Sequence, residues 1–180
     1  YSIVIYMKKK ISIIVGGSGQ LGISLIKVLL KKNFKVIVTT RSISNARKKI
    51  PIKSRNLKLV LLNVLKKNEI SSLIKRFKPN YIYYFASQSS PVISFKKNRV
   101  TYLSNVKGCL NFLEIINLKD KKIKFINASS SEIFSSRVKK ISLNSKKIPI
   151  SPYGKAKLIS YNKTKFFRDK KKLKAYNAII

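Results

Sequence analysis

Two spacings of apolar residues alternate along the chain. Short runs rich in β-branched and aromatic residues have the composition of strands, at 11–15, 35–40, 57–62, 81–85, 123–127 and 175–180. Between these runs, apolar residues recur every three or four positions, as Leu21, Leu25 and Leu29 do, which is the spacing of an amphipathic helix. Strands that alternate with helices pair in parallel. We therefore predict an α/β fold, a Rossmann-like doubly wound parallel sheet in a three-layer αβα arrangement.

Three further helices are predicted from their apolar residues and end signals. Asn68 is the expected cap of a helix over Glu69–Phe77. One long helix is predicted over Ser94–Leu118, and another begins near Pro152. Cys109 stands in an apolar run of the long helix, so we expect it to be buried in the core.

A glycine cluster, GGSGQLG, joins the first strand to the first helix. Gly16, Gly19 and Gly22 have the spacing G-x-x-G-x-x-G. The first lets the chain turn, the second lets the backbone approach a phosphate, and the third lets the helix lie close to the strand. We predict that a dinucleotide pyrophosphate binds the free N–H groups at the helix start, a purely structural turn being the alternative. The predicted contacts in this turn are Gly16, Ser18, Gly19, Gln20, Leu21 and Gly22.

The end of the second strand indicates which dinucleotide binds. An acidic residue there would accept hydrogen bonds from the ribose of NAD, whereas an arginine favours the 2′-phosphate of NADP. Arg41 follows this strand, and Glu69 is the first acidic residue of the chain. We therefore predict NADP as the cofactor. The rim after the fourth strand is expected to add contacts from Phe85, Ala86, Ser87, Gln88 and Ser89.

Four residues that could act together in catalysis follow the fifth strand. Ser130 and Glu132 lie in ASSSEIF, and Tyr153 and Lys157 lie in SPYGKAKLIS. Because Tyr153 and Lys157 are four residues apart, they share one helix face, where the ammonium can favour a phenolate. Ser130 can donate a hydrogen bond to the same substrate oxygen. The alternative is that Glu132 is an ordinary surface residue without a catalytic role.

The pattern Y-x-x-x-K is a weak signal in a chain so rich in lysine. It also occurs at Tyr6/Lys10 and Tyr161/Lys165. Tyr153 differs from these because five predicted strands and a serine-rich strand end precede it, and a proline stands at the first position of its helix. This order of elements selects Tyr153 as the candidate catalytic tyrosine.

The net charge is extreme, with 41 lysine and arginine residues against 5 aspartate and glutamate residues, or +36. Such an excess is typical of proteins that bind nucleic acids or other polyanions. The cations are spread along the whole sequence without a basic arm or a recognition motif, so we expect no specific nucleic-acid binding. Non-specific attraction of anions, weakened by salt, is still expected.

Length and composition predict one domain. The 180 residues, 44% of them apolar, can bury one sizeable core. A single cysteine allows no internal disulfide, no apolar run reaches the length of a membrane span, and no set of metal ligands occurs. We expect a cytoplasmic protein without a metal, in which residues 1–9 are an N-terminal extension. Residues 10–180 are the expected NADP-binding Rossmann domain, truncated before a substrate-binding part.

Five motifs occur in the order and at about the spacing of one family: GGSGQLG, TTRS, FASQSSPVISF, NASSSEIF and SPYGKAKL. Together they resemble the GDP-mannose 4,6-dehydratases of the extended short-chain dehydrogenase/reductase superfamily. The resemblance implies a hydroxyl role for Ser130, an acid/base role for Glu132, catalysis by Tyr153 and cofactor binding by Lys157. The related epimerases carry no carboxylate at the position of Glu132, and the dTDP-glucose dehydratases usually carry Asp-Glu where this chain has Ser131-Glu132.

The resemblance also implies cofactor contacts at Asn63 and Val64, after the third strand. Asn63 stands where the family has aspartate, and Val100 stands where it has a cofactor-site tyrosine. The implied reaction converts GDP-mannose to GDP-4-dehydro-6-deoxy-mannose by NADP-dependent internal hydride transfer and loss of water. Family members commonly form homo-oligomers through helices like those at 94–118 and 152–168, and this fragment alone is expected to be inactive.

Two other functions stay open at this point. The chain could belong to another nucleotide-sugar dehydratase or epimerase of the same superfamily. It could also be a non-catalytic Rossmann module that binds NADP or a polyanion.

Overall fold

One six-stranded sheet forms the centre of the computed structural model, which describes residues 9–135, 140–142 and 144–180. All neighbouring strands are parallel, and the strand order is β3-β2-β1-β4-β5-β6. The strands are β1 (Ile11–Val15), β2 (Lys35–Thr40), β3 (Leu57–Leu61), β4 (Tyr81–Tyr84), β5 (Lys124–Ala128) and β6 (Ala175–Ala178). The chain adds β2 and β3 on one side of β1, then returns and adds β4, β5 and β6 on the other side. This arrangement confirms the predicted doubly wound topology.

Helices cover both faces of the sheet. They are α1 (Gln20–Lys31), α2 (Ile43–Lys49), α3 (Lys67–Phe77), α4 (Pro91–Lys96), α5 (Asn98–Tyr102), α6 (Gly108–Lys119) and α7 (Pro152–Lys171). A π-helical segment, Leu103–Lys107, joins α5 to α6, and a single 3-10 turn, Ser131–Ile133, follows β5. The arrangement is therefore the predicted αβα sandwich.

Two apolar clusters fill the spaces between the layers. The larger one joins α3, α6 and α7 to the sheet and includes the fully buried Phe112 and Phe125. The smaller one joins α1 and α2 to the other face and includes Ile14, Ile26 and Val38. The central strand β1 contributes to both, because alternate residues of a strand point to opposite faces.

The predicted long helix over Ser94–Leu118 is confirmed for its larger part, because α5, the π-helical segment and α6 form one continuous helix over 98–119, whereas Lys97 separates it from the short helix α4. Helix α4 begins at Pro91 rather than Ser94. Ser90 caps it, since its side-chain oxygen accepts the N–H of Ile93 at 3.2 Å. The sequence shows the apolar spacing of this region but not the break at Lys97, where the backbone leaves the helical conformation.

Other local predictions have mixed outcomes. Helix α2 was not predicted, because its seven residues are too few to show a helical period. Asn68 is not the N-cap of α3: that helix begins at Lys67, and the Asn68 side chain accepts the N–H of Glu69 within its first turn. Cys109 is fully buried, as predicted.

The predicted extension, residues 1–9, lies outside the described residues except for Lys9. The Tyr6 of the pattern Tyr6/Lys10 lies outside them as well. Within the described ranges, no helix combines the length and the apolar character needed to cross a membrane.

We expect Phe112→Ala to lower the free energy of unfolding by about 3–5 kcal/mol, because it leaves a cavity among Tyr84 and Phe125 in the larger cluster. Phe95 is 63% exposed and serves as the matched control, whose replacement by alanine should cost less than about 1 kcal/mol. Urea denaturation measures both. Equal losses for the two variants would contradict this description of the core.

Candidate active site

The glycine turn after β1 is shaped by two close contacts and one open side. Gly16 has a φ of 76°, and a Cβ there would lie 2.6 Å from the Cα of Ala86. A Cβ on Gly22 would lie 2.5 Å from the Cα of Gly17, so only glycine lets α1 approach the turn. A Cβ on Gly19 would meet nothing within 4 Å. The turn is therefore tight inside and leaves room outside Gly19.

The start of α1 faces this open side. Its N-cap, Gly19, provides no side-chain hydrogen bond, and its first turn contains no acidic residue. Gly19, Gln20 and Leu21 are exposed, and Ser18 is half-buried. Uncapped N–H groups and the positive end of a helix favour an anion, so this turn can hold a phosphate group.

The predicted contacts after β2 and β3 lie at the same edge of the sheet. Arg41 is exposed directly after β2. Asn63 is exposed after β3, but its Oδ1 accepts the N–H of Leu65 at 3.0 Å, which occupies part of its capacity to accept from an adenine amino group. Its own N–H donates to Glu69, and this hydrogen bond lowers the pKa of that carboxyl. Val64 is half-buried and packs against the larger apolar cluster.

The segment after β4 lies beside the glycine turn. The N–H of Phe85 donates to the Val15 carbonyl at 2.8 Å, which continues the ladder between β4 and β1. Ala86 is the residue that approaches Gly16. Phe85, Ala86, Ser87 and Gln88 are half-buried and Ser89 is exposed.

Gln88 is fixed by its neighbours on α5 and the π-helical segment. Its N–H donates to Ser104, its side-chain oxygen accepts from Thr101, and its carbonyl accepts from Asn105. The side-chain nitrogen donates to the carbonyl of Ser90. Gln88 therefore anchors the segment, and the side chains of Ser87 and Ser89 are better placed to reach a ligand.

The strand end after β5 carries Ser130 and Glu132. Ser130 is buried, and its hydroxyl oxygen accepts the N–H of Glu132 at 3.3 Å, which shapes the 3-10 turn. The Glu132 side chain is exposed. Its backbone contacts the start of α7, because a Cβ on Gly154 would lie 2.5 Å from the Glu132 carbonyl oxygen.

Two serines and a proline fix the start of α7. Ser151 caps the helix by accepting the N–H of Gly154 at 3.0 Å, and Pro152 has no N–H to satisfy. The N–H of Tyr153 donates to the hydroxyl of Ser94 at 3.1 Å. Ser94 is fully buried on α4, so its hydroxyl ties Tyr153 to the segment that begins after β4.

Lys157 is 4% exposed and donates from Nζ to the carbonyl of Ala128 at 2.7 Å. Burial lowers its pKa to about 8, and the nearby thiol of Cys109 acts in the opposite direction. Burial also raises the pKa of Cys109 to about 12, so this thiol stays protonated in the ordinary pH range.

Tyr153 is 8% exposed, and its ring centroid lies 5.7 Å from the Nζ of Lys157. Burial raises the pKa of the phenol, an interaction with the Ser130 hydroxyl lowers it, and the charge of Glu132 raises it further. Tyr153 thus lies close enough to Ser130 and Glu132 to respond to both. The structure brings the four predicted catalytic residues together at the edge of the sheet that carries the glycine turn.

This set combines groups that can move protons. A phenol, a hydroxyl and a carboxylate lie near one another, with an ammonium 5.7 Å from the centre of the phenol ring, and such groups serve in acid/base chemistry. No cluster of three metal-ligating side chains occurs within the described residues. Tyr161, of the other Y-x-x-x-K pattern, lies two turns along α7, where its carbonyl accepts from Asn177.

Sequence reasoning missed Ser94 and the Ala128 carbonyl. Nothing in the sequence singles out Ser94, because a serine in a helix is ordinarily exposed and its partner is 59 residues away. The carbonyl of Ala128 is a backbone group, so no residue type marks it. The proline at the start of α7 was the available signal for the geometry of that helix.

A family model for GDP-mannose 4,6 dehydratase matches residues 13–180. The chain belongs to the GDP-mannose 4,6-dehydratase family.

Individual members of this dehydratase family are distant relatives. The GDP-mannose 4,6-dehydratase of Vibrio cholerae serotype O1 is 28% identical over 186 residues, covering 97% of this chain and 50% of the relative. The GDP-mannose 4,6 dehydratase of Cricetulus griseus is 30% identical over 185 residues, covering 96% of this chain and 50% of the relative. The chain thus spans about half the length of these relatives.

Solved structures of nucleotide-sugar epimerases share the fold of this dehydratase-family chain. UDP-glucose 4-epimerase from Brucella ovis, in complex with NAD, superposes with a TM-score of 0.82 at 20% identity, covering 94% of this chain and 51% of that one. UDP-glucuronic acid 4-epimerase from Bacillus cereus, in complex with UDP-glucuronic acid and NAD, gives 0.80 at 20% identity, covering 94% and 55%. At this identity the comparison shows the fold alone.

The lowered pKa of Lys157 predicts a stability that depends on pH. The folded chain releases this proton near pH 8, whereas the unfolded chain keeps it to about pH 10.5. Between these values the unfolded state binds more protons, so the native chain should gain stability as pH rises. Relative to Lys157→Met, we expect a gain of about 2 kcal/mol from about pH 7 to about pH 9.5, measured by urea denaturation.

Lys155 provides the control for this measurement, because it lies in the same helix with an exposed side chain. The native chain compared with Lys155→Met should show no such pH dependence. A flat difference for Lys157→Met as well would mean that its ammonium is solvated in the folded chain.

Proposed function

We propose that this chain is the cofactor-binding half of a GDP-mannose 4,6-dehydratase, a hydro-lyase that uses NADP and forms GDP-4-dehydro-6-deoxy-mannose. The family match supports the reaction class. The observation that carries the proposal is that Ser130, Glu132 and Tyr153 come together: the Ser130 hydroxyl accepts the N–H of Glu132, the Glu132 backbone packs against Gly154 beside Tyr153, and the charge of Glu132 raises the pKa of that phenol. An enzyme that moves only a hydride and a hydroxyl proton has no need of a carboxylate there.

The residues at this edge fit a dinucleotide. The open side of Gly19 and the uncapped start of α1 suit a pyrophosphate, and the segment after β4 lies beside them. Arg41 suits the 2′-phosphate of NADP, because no acidic side chain follows β2 to bind a ribose instead. When bound, NADP would take up a hydride from C4 of the sugar and return it to C6.

The residues of the chain would handle the protons of this reaction. Tyr153 removes the proton of the C4 hydroxyl, and Ser130 donates a hydrogen bond to the same oxygen. Glu132 removes the C5 proton once C4 is a ketone, and then donates that proton to the departing C6 hydroxyl, which leaves as water. When the hydride returns to C6, C5 would take the proton that Tyr153 removed from the C4 hydroxyl, which restores the phenolate. Lys157 holds the nicotinamide ribose and stabilises the phenolate.

The pKa of Tyr153 sets a condition on this mechanism. Burial raises it in the free chain, and Glu132 adds to the increase, so the phenol is protonated at neutral pH. The phenolate needs positive charge nearby, which Lys157 and a bound oxidised nicotinamide would supply. To reach the ribose, the Lys157 ammonium would have to move away from the Ala128 carbonyl or donate to both oxygens at once.

Several features of the whole protein belong to this proposal. Its substrate would be GDP-mannose, and its binding region would lie in the half of the relatives that this chain does not span. We expect a homo-oligomer that works in the cytoplasm. The Ser130, Glu132, Tyr153 and Lys157 set would then need that second half to enclose the sugar.

The cofactor site is tested by two glycine variants. Gly19→Ala places a methyl group on the open side, so the chain should keep its stability but lose at least tenfold in NADPH affinity. Gly22→Ala should instead destabilise the fold by at least about 2 kcal/mol, because its Cβ meets Gly17. Isothermal titration calorimetry and thermal melting separate the two effects. Unchanged NADPH affinity in Gly19→Ala would refute the pyrophosphate site.

The chemical roles are tested with a chain extended by the carboxyl-terminal half of the Vibrio cholerae relative. Tyr153→Phe should lower turnover of GDP-mannose by at least about a thousandfold, because C4 oxidation loses its base. Glu132→Gln should block water loss while NADP reduction still occurs, so reduced nicotinamide accumulates. Mass spectrometry follows the product and nicotinamide fluorescence follows the hydride. A normal dehydrated product from Glu132→Gln would exclude the proposed role of this residue.

A further inference from the structure

Lysines gather at the edge of the sheet that lies opposite the glycine turn. Since all strands are parallel and each helix returns the chain, the amino ends of the strands and the carboxyl ends of the helices meet there. Each connection that enters a strand at this edge holds an exposed lysine. We call these six residues the basic edge: Lys10, Lys32, Lys53, Lys78, Lys122 and Lys174.

The edge that carries the glycine turn has a different charge pattern. Residues 16–19 and 85–90 contain no charged side chain. Residues 62–66 contain Lys66, which forms an ion pair with Glu69 at 3.3 Å. Arg41 after β2 and Lys140, Lys146 and Lys147 after β5 also belong to connections of this edge. The basic edge differs because every one of its connections carries a lysine, whereas two connections of the glycine-turn edge carry no charge.

None of the basic-edge lysines is ion-paired among the described residues, although Asp120 lies between two of these connections. In the part of the chain that the structure describes, the ion pairs join Lys66 to Glu69, Lys67 to Glu114 and Arg168 to Asp169, and none includes a basic-edge lysine. Asp120 lies in one of the same connections, but its Oδ1 accepts the backbone N–H of Lys122 at 2.8 Å. The ammonium groups thus remain available to an external anion.

Helix stabilisation accounts for only part of this charge. Lys32 and Lys78 are the C-cap residues of α1 and α3, where a cation interacts favourably with the helix dipole. Lys10, Lys122 and Lys174 lie outside the helices, just before strands. Their mutual repulsion opposes folding, so their charge has no evident structural benefit.

An open cavity of about 260 Å³ lies in the middle of this edge. Lys10, Lys78 and Lys122 line it from three separate connections, and Tyr81 and Asp120 are also in its wall. The ring of Tyr81 is half-buried, lies 5.8 Å from the ring of Phe34 and has the Nζ of Lys124 over it at 5.4 Å. A groove lined by lysines is typical of sites that follow the backbone of a single-stranded nucleic acid.

We propose that the basic edge binds the phosphate backbone of single-stranded nucleic acid without reading its sequence. Six neighbouring strand ends, about 4.8 Å apart, spread the ammonium groups over roughly 24 Å, which matches a linear polyanion better than a small one. The described residues of these connections include no exposed large apolar side chain that could insert into a membrane. Nucleic acid is therefore the partner that the edge fits.

Fluorescence anisotropy with a labelled single-stranded oligonucleotide of mixed sequence tests this proposal over a series of salt concentrations. The edge variant is K10Q/K32Q/K78Q/K122Q/K174Q. The control, K27Q/K97Q/K107Q/K155Q/K163Q, removes the same charge from exposed lysines elsewhere. The edge variant should bind at least tenfold more weakly at physiological salt, with the slope of log K against log salt reduced by about 3.5, or roughly 0.7 for each lost contact. The control should keep nearly the native slope.

Three results would overturn the proposal. Equal losses in the two variants would show that total charge, not this edge, attracts the oligonucleotide. Tighter binding to vesicles rich in phosphatidylserine would identify a membrane surface as the partner. Native affinity in the edge variant would exclude the edge altogether. If the edge variant melts early, Lys78→Gln and Lys122→Gln singly should each reduce the slope by about 0.7.

This proposal is independent of the proposed dehydratase activity. NADPH affinity should be the same in both variants and the native chain, because the glycine turn lies at the other end of the strands, about 17 Å away. Loss of NADPH binding together with oligonucleotide binding would indicate a competition for one site and would contradict a separate edge.

Discussion

One hydrogen bond between a helix and a strand holds the candidate active site in place. Lys157 reaches from α7 to the carbonyl of Ala128, the last residue of β5, in a place from which water is almost excluded. A buried ammonium is costly unless it is paired, so this bond fixes the helix at one height along the strand. Ser130 follows Ala128 by two residues, and Tyr153 precedes Lys157 by one turn. The hydroxyl and the phenol meet because of that register.

Burial makes the protonation state of this lysine adjustable. Its pKa of about 8 lies within reach of physiological pH, so a small change in surroundings decides whether the ammonium stays charged. A neighbouring anion such as a tyrosine phenolate would favour the charged form.

The fold could be predicted from the sequence because its signal is repeated. Six short β-branched runs separated by helical periods leave little choice but parallel pairing, and each run supports the others. The break near Lys97 and the short helix α2 could not be predicted, since both depend on a few residues and on tertiary contacts. At the site, side chains such as Tyr153 could be selected by type and order. The hydroxyl of Ser94 could not, because only the folded chain brings it to the Tyr153 N–H.

The distribution of charge shows a similar limit. The lysines are spread along the whole sequence, but parallel strands bring every second connection to the same edge. Six separate lysines thus become neighbours without any basic run in the sequence. The composition gives the total charge, whereas the strand order determines which charged residues become neighbours.

Among the helices that begin at the edge of the glycine turn, α1 and α7 differ in how their first N–H groups are satisfied. In α7, Ser151 and Ser94 accept the N–H groups of Gly154 and Tyr153, and Pro152 has none. No donor of that first turn is left for an anion. The start of α1 lacks any such side chain. An anion is therefore favoured at the start of α1 and not at the start of α7, so the surroundings of Tyr153 suit an uncharged group better than a phosphate.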